Sequence, residues 1–391
     1  MTGRERFLKT IAGEATDHMP VTLFIQDQGH FLEQCYPEAD PHDYFANQCR
    51  VVDLQRKFGC DVFVRMLFGV TDPLHIHMGG VDITHQSDNW QVHSEERQEG
   101  ATHTTRYTIT TPGGLITQEN SVVQMSRGTF LYATTEKPVK TEADLDIVME
   151  YEPRMPAGWE VSCREKVQRM KEYVGDDGIV GVWAPHGPFN NASLLIDHQE
   201  LYSLFLVKPA YYDKLMRYAS ERILDYTRAM AASGADVLHV GGNVPGGFLG
   251  KRIYDKYVLP YERDYITVCQ ENGTPAMYHN CGQIMNLVES YKEVGLKMVE
   301  PFSPPPLGDA DLAKAKQLVN GDYVMLVGVD QVNVIQKGTV ADVVKATKET
   351  ALTGKHGGKT IIQSADFLEM NTPLENVQAF VDTAKEYGAY E

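Results

Sequence analysis

The sharpest chemical signal in the chain is the run His279-Asn280-Cys281-Gly282. In an extended segment residues i and i+2 point to one side, so this imidazole and thiolate can grip one ion. Mixed nitrogen and sulfur donors suit zinc, and Gly282 lets the chain turn immediately afterwards. Taken alone, the pair fits equally a buried cysteine beside a histidine bonded to backbone. A third donor decides between these readings. Other candidates sit at or just past short apolar runs: His186, His239, Asn243, Glu300 and Asp366. His239, Asn243 and His186 have the donors and acceptors to orient a substrate, and Tyr278 and Trp183 could wall an aromatic ring. Glu300 reads either as a carboxylate ligand or as a rim residue capping a turn or pairing with a lysine. His75 and His77 form an HxH with no accompanying ligand pattern and read as surface or core histidines. The glycine-rich GGNVPGG around Asn243 lacks the phosphate-loop lysine and the dinucleotide-fold spacing, so it reads as a tight turn.

The elements that must position these residues follow a simple rhythm. Short apolar strands are expected at 61–66, 178–184, 236–241, 275–279, 297–300, 324–329 and 360–364, and helical periodicity fills most of the gaps between them. Strand-helix alternation implies parallel βαβ units with right-handed crossovers. Five such units fall between Asp236 and the C-terminus, and the two earlier strands bring the count towards eight. The predicted fold class is therefore α/β, a (β/α)₈ barrel over residues 1–391 as a single domain, with a doubly wound sheet as runner-up. In such a barrel functional residues lie just after the strands, where the candidates above are found. The stretch up to about Gly59 reads as a helical N-terminal extension. Residues 79–135 are rich in Thr, Val and Tyr around a Thr111-Pro-Gly-Gly turn signal, and predict a β-hairpin insertion.

Composition narrows the function classes. The 391 residues carry 36 Lys+Arg against 53 Asp+Glu, a net charge of 36 − 53 = −17, which repels nucleic acid and anionic membranes. The charged, amphipathic N-terminus is not a signal peptide, and no apolar run reaches the length of a membrane span. Six cysteines without CxxC pairs suit a reducing cytoplasm better than a disulfide framework.

Several segments together resemble one family. The opening TGRERFLKTIAGEATDHMPV, the later YVLPYERDYI, HNCG, EPFSPPPLGDADLAKAK and LVGVDQVNVIQKGTVADV, and the closing NTPLENVQAFVDTAKEYG are similar to uroporphyrinogen-decarboxylase-like proteins. The likeness covers most of the chain, is weakest between about Leu67 and Thr135, and independently implies the (β/α)₈ barrel. That superfamily contains porphyrinogen decarboxylases and zinc-dependent, corrinoid-linked methyltransferases. The decarboxylases share an arginine-rich N-terminal segment that receives the substrate's carboxylates. Here the equivalent PVTLFIQDQGHFLEQCYPEAD has no arginine and carries Asp27, Glu33, Glu38 and Asp40. The methyltransferases carry HxC, as this chain does.

The resemblance thus implies a zinc enzyme moving a methyl group from a methyl ether or similar small-molecule donor to the cobalt of a separate corrinoid protein. No corrinoid-binding DxHxxG signature occurs in this chain, so the cofactor would arrive on that partner. The relatives' third ligand, a cysteine in a Gly-Cys-Gly segment, aligns with Asp366; a carboxylate hardens the site and favours an oxygen leaving group. His279, Cys281 and Asp366 are then the expected zinc ligands, with Glu300 an alternative or an outer partner. Transfer from methyl-corrinoid to a thiol, a metal-free decarboxylase and a non-catalytic barrel are the other readings, and a homodimer is compatible with all of them.

Overall fold

A computed structural model describes residues 1–68, 80–125, 129–241 and 246–390. In chain order its strands are β1 (Val62–Met66), β2 (Gln91–Glu99), β3 (Thr102–Thr111), β4 (Gly114–Gln124), β5 (Phe130–Glu136), β6 (Gly178–Ala184), β7 (Val237–Gly241), β8 (Ala276–His279), β9 (Met298–Phe302), β10 (Val324–Val329) and β11 (Thr360–Ser364). Seven of them form one parallel sheet in the order β1-β6-β7-β8-β9-β10-β11, so each strand pairs with the next. Nearly every residue of these strands is buried, as expected where helices cover one face and a core fills the other. Crossover helices include Pro209–Ala231, Leu259–Cys269, Val288–Val294, Leu312–Val319 and Val340–Gly354, and Leu374–Gly388 follows β11. Among the described residues no helix is long and apolar enough to cross a membrane.

The sheet curls, and its concave side is filled in layers. The lowest layer is apolar: Phe63, Ile179, Val237, Met277, Met298, Leu326 and Ile361 form one buried cluster, with Phe7 of the helix Gly3–Ala12 packed against them as a plug. That helix starts at a capping box made by Thr2 and Glu5. Its Arg4 then pairs with Asp236 at 2.7 Å, and Lys171 reaches the same carboxylate at 3.0 Å, fixing the plug to the foot of β7. Two residues further along each strand, period-two alternation returns to the same side. The positions met there are Arg65, Gly181, His239, His279, Glu300, Gly328 and Gln363. An apolar floor therefore lies directly beneath a polar layer.

The segment before Gly59 departs from the purely helical expectation. Helices Gly3–Ala12, His30–Cys35 and Tyr44–Phe58 form, but residues 20–24 between them are extended. Val21 bridges Ile362 in parallel, with Thr22 N–H donating to the Ile362 carbonyl and Ile362 N–H to Pro20, each at 3.0 Å. On the other side Asp61 N–H donates to the Val21 carbonyl at 2.8 Å. The stretch thus runs alongside β11 and touches the foot of β1. The insertion is also richer than one hairpin: β2 to β5 form a four-stranded antiparallel sheet. It is anchored by the fully buried Trp90, whose Nε1–H donates to the Asp82 carbonyl at 2.8 Å, and by Ile109 and Ile116.

Candidate metal centre

The polar layer converges on Glu300. Its Oε1 lies 3.0 Å from His279 Nδ1 and 2.8 Å from His239 Nε2. Its Oε2 accepts from Arg65 Nη2 at 2.9 Å and from Gln363 Nε2 at 3.1 Å, while Arg65 Nη2 also donates to Gln363 Oε1 at 2.6 Å. Phe24 and Phe63 cover the guanidinium at 4.3 and 4.2 Å. Burial alone would raise the Glu300 carboxyl, but the Arg65 charge and the contacts with His239 and His279 outweigh it and hold it well below the usual range. Burial lowers His239 to about 4 despite that carboxylate. Nε2 of this fully buried ring faces Glu300 at 2.8 Å, and its Nδ1 has no hydrogen-bond partner. Trp183 stacks on His239 with ring centroids 3.4 Å apart.

His279 joins this network to a second set of donors. Atoms of His279, Cys281 and Asp366 lie within 4.8 Å of one another, as do those of His239, His279 and Glu300. The two triads share His279. Burial opposes charge on that ring, but hydrogen bonds to Cys281 and Glu300, together with the Glu300 and Asp366 charges, raise it to about 10. Burial raises the Asp366 carboxyl against the pull of His279. The upper triad is partly open, with Cys281 and Asp366 both half-buried.

Local structure explains how HNCG presents its ligands. Asn280 N–H donates to the Glu300 carbonyl at 2.7 Å, and Asn280 Nδ2 donates to Tyr291 OH at 2.6 Å, pinning the residue between the two candidate ligands. Gly282 has φ +111°, which a residue with a Cβ rarely adopts. Asp309 Oδ1 then accepts the Ile284 and Met285 amides at 2.7 and 3.1 Å, holding the loop beyond it.

His239, His279, Glu300, Cys281, Asp366 and Trp183 are brought together, as their places at strand ends anticipate. His186 lies nearby: a Cβ on Gly241 would come within 2.7 Å of the Trp183 ring and 2.9 Å of His186 Nδ1, so only glycine fits between them. Two expectations are corrected. Tyr278 does not wall the cluster, because alternation along β8 sends it to the opposite face from His279, where its ring packs 5.4 Å from that of Tyr291. Glu300 is no solvent-facing rim residue; it is fully buried as the hub of the lower triad. Asn243, His75 and His77 lie outside the described residues. Sequence reasoning missed Arg65, Gln363 and Phe24. A charged residue inside the apolar VFVRM and a glutamine inside TIIQS, both at inward positions, were the available signals.

The family model for uroporphyrinogen decarboxylase (URO-D) matches residues 123–387. A methylated-thiol–coenzyme M methyltransferase of Methanosarcina mazei is 26% identical over 169 residues, 43% of this chain and 42% of that protein. The methylcobamide:CoM methyltransferase MtbA of the same organism is 26% identical over 64% of this chain and 70% of its own length. A uroporphyrinogen decarboxylase of Thermus thermophilus is 27% identical over 52% of this chain and 58% of its own. The chain thus spans less than half of the first of these relatives. A solved structure described as a methyltransferase from Methanosarcina mazei superposes over 100% of both chains with a TM-score of 0.70 at 17% identity, which shows a shared fold. Methyltransferases and decarboxylases match at nearly equal identity, so the choice between them falls to the site.

Proposed function

As a member of the uroporphyrinogen decarboxylase family, the chain is, we propose, a zinc-dependent methyltransferase that moves a methyl group from a methyl ether or similar donor to the cobalt of a corrinoid on a separate protein. One observation carries this: a nitrogen, a sulfur and an oxygen donor from His279, Cys281 and Asp366 lie within 4.8 Å at a half-buried position. That donor set suits zinc and leaves a fourth position for a ligand. The unpartnered Nδ1 of the buried His239 ring beside it likewise fits a site completed by a bound group.

In this reading Glu300 holds His279 by Nδ1 and leaves Nε2 to the metal, the carboxylate–histidine arrangement that fixes a ligating ring. Zinc, when bound, supplies Lewis acidity to the donor's heteroatom as the methyl group passes to cobalt. His186 and Trp183 border the same space and orient the donor, with Asn243 proposed beside them. Arg65, which a decarboxylase would want free for substrate carboxylates, is committed to Glu300 and Gln363. The methylcobamide:CoM names of several relatives favour a second reading, transfer from methyl-corrinoid to a thiol at the same zinc. The closed eight-unit barrel, with residues 20–24 as its eighth strand and 79–135 as an excursion from a single domain, belongs to the same proposal.

The test is the metal content and activity of Cys281→Ser. A neutral hydroxyl is a far poorer ligand than a thiolate, so zinc measured by mass spectrometry should fall sharply while far-ultraviolet circular dichroism stays unchanged. Full zinc with full methyl transfer in that variant would overturn the site.

A further inference from the structure

A cavity of about 380 Å³ lies between the antiparallel sheet and the loops that follow residues 20–24 and β1. It lies within the size range of small-molecule sites. Three aromatic residues line it: Tyr44 at the start of its helix, and Phe130 and Tyr132 on β5. The last two rings stand 6.2 Å apart, inclined by 48°. One carboxylate, Asp27, joins them, with the imidazoles of His42 and His103; no described lining residue is a lysine or arginine.

The chemistry of Asp27 narrows the ligand. Its described hydrogen-bond partner is a neutral amide, Gln48 Nε2, at 3.0 Å, and among the described residues no cation pairs with it. Burial pushes its carboxyl up to about 6, the mark of a desolvated acid without a compensating charge. An anion would be repelled by the Asp27 carboxylate, and the two lining histidines give no fixed positive charge to offset it. A neutral apolar ligand would strip the carboxylate of its remaining water and return nothing for it. A strongly hydrated cation would need several oxygen ligands that aromatic faces do not provide. A weakly hydrated cation sheathed in methyl groups meets both features at once, since ring faces and a carboxylate each attract it.

We propose that this cavity binds a small quaternary or N-methylated ammonium cation. The site shares no lining residue with the His279 triads, and its proposal does not depend on zinc or on methyl transfer. It is tested by calorimetric titration of the full chain with choline and, in parallel, with dimethylbutanol, its neutral carbon isostere. Choline should bind at least about tenfold more tightly than the alcohol. Asp27→Asn, which keeps an oxygen for Gln48 to bond, should erase that difference without moving the thermal midpoint. Tyr132→Ala should weaken choline by about fivefold and Tyr132→Phe should restore it. All values should be the same in chelator-treated and zinc-loaded protein, which separates this site from the metal reading. Equal affinity for alcohol and choline, no saturable choline binding, or choline binding unchanged in both Asp27→Asn and Tyr132→Ala would overturn the proposal.

Discussion

In the proposed zinc site, Asp366 stands where a ligand's hardness can be tuned without altering the other donors. With Cys281 and a neutral His279 it leaves a divalent ion formally uncharged, as a second thiolate would, so the difference lies in donor character. Asp366→Asn should weaken the metal by at least about tenfold in a chelator competition, because an amide is a poorer ligand than a carboxylate. Asp366→Cys should retain zinc and shift preference towards sulfur partners in a methyl-transfer assay. Glu300 acts one step further out, through Nδ1 of His279 and through Arg65. Glu300→Gln should lower zinc affinity roughly 10–100-fold, the usual cost of losing an outer-shell carboxylate. Because it also leaves Arg65 buried without its anion, the thermal midpoint should fall with it, which Asp366→Asn should not cause. The proximity of Cys281 to His279 was legible from HxC because residues two apart at a strand end face one way, which leaves a mark in the sequence. The hub around Glu300 was not, because its five members come from five separate strands, and only the inward register of Arg65 and Gln363 ties them together.

At the scale of elements, the foot of the parallel sheet is held by charge. Asp236, half-buried immediately before β7, accepts from Arg4 of the first helix, from Lys171 and from Val180 N–H. Burial would raise its carboxyl, but these bonds outweigh it and hold the folded-state value below the ordinary one. A depressed carboxylate contributes stability above its unfolded value of about 4 and loses it as pH falls towards the folded value. Urea midpoints of the wild-type chain should therefore drop below about pH 5, and Asp236→Asn should flatten that drop. At neutral pH the same variant should cost about 2–3 kcal/mol, since Arg4 and Lys171 lose their anion. All seven parallel strands were legible because each is a short apolar run bounded by helical periodicity. The extended stretch 20–24 was not, because both its partners are remote in sequence: Ile362 lies near the far end of the chain, and Asp61 follows an intervening helix. The four strands of the insertion collapsed into one expected hairpin because only the Thr111-Pro-Gly-Gly turn carried a recognisable signal.

For the whole molecule, the decisive arrangement is the layering inside the curled sheet. Phe7 is fully buried against the floor, and Phe7→Ala should cost about 3–5 kcal/mol, read as a shift in the denaturant midpoint, while leaving zinc content intact. The plug also has a kinetic meaning. Phe7 and a continuous apolar layer close the amino ends of the described parallel strands, so among the described residues the route to His279, Cys281 and Asp366 lies towards the carboxyl ends. Under the proposed function, a small ligand and a docking protein would share that route in turn. Under the proposed methyl transfer, the small molecule would arrive first and its remnant leave last, and a large partner bound too early would act as a cork. Initial-rate patterns should accordingly show a compulsory order, with inhibition at high concentrations of the protein partner relieved by more of the small one.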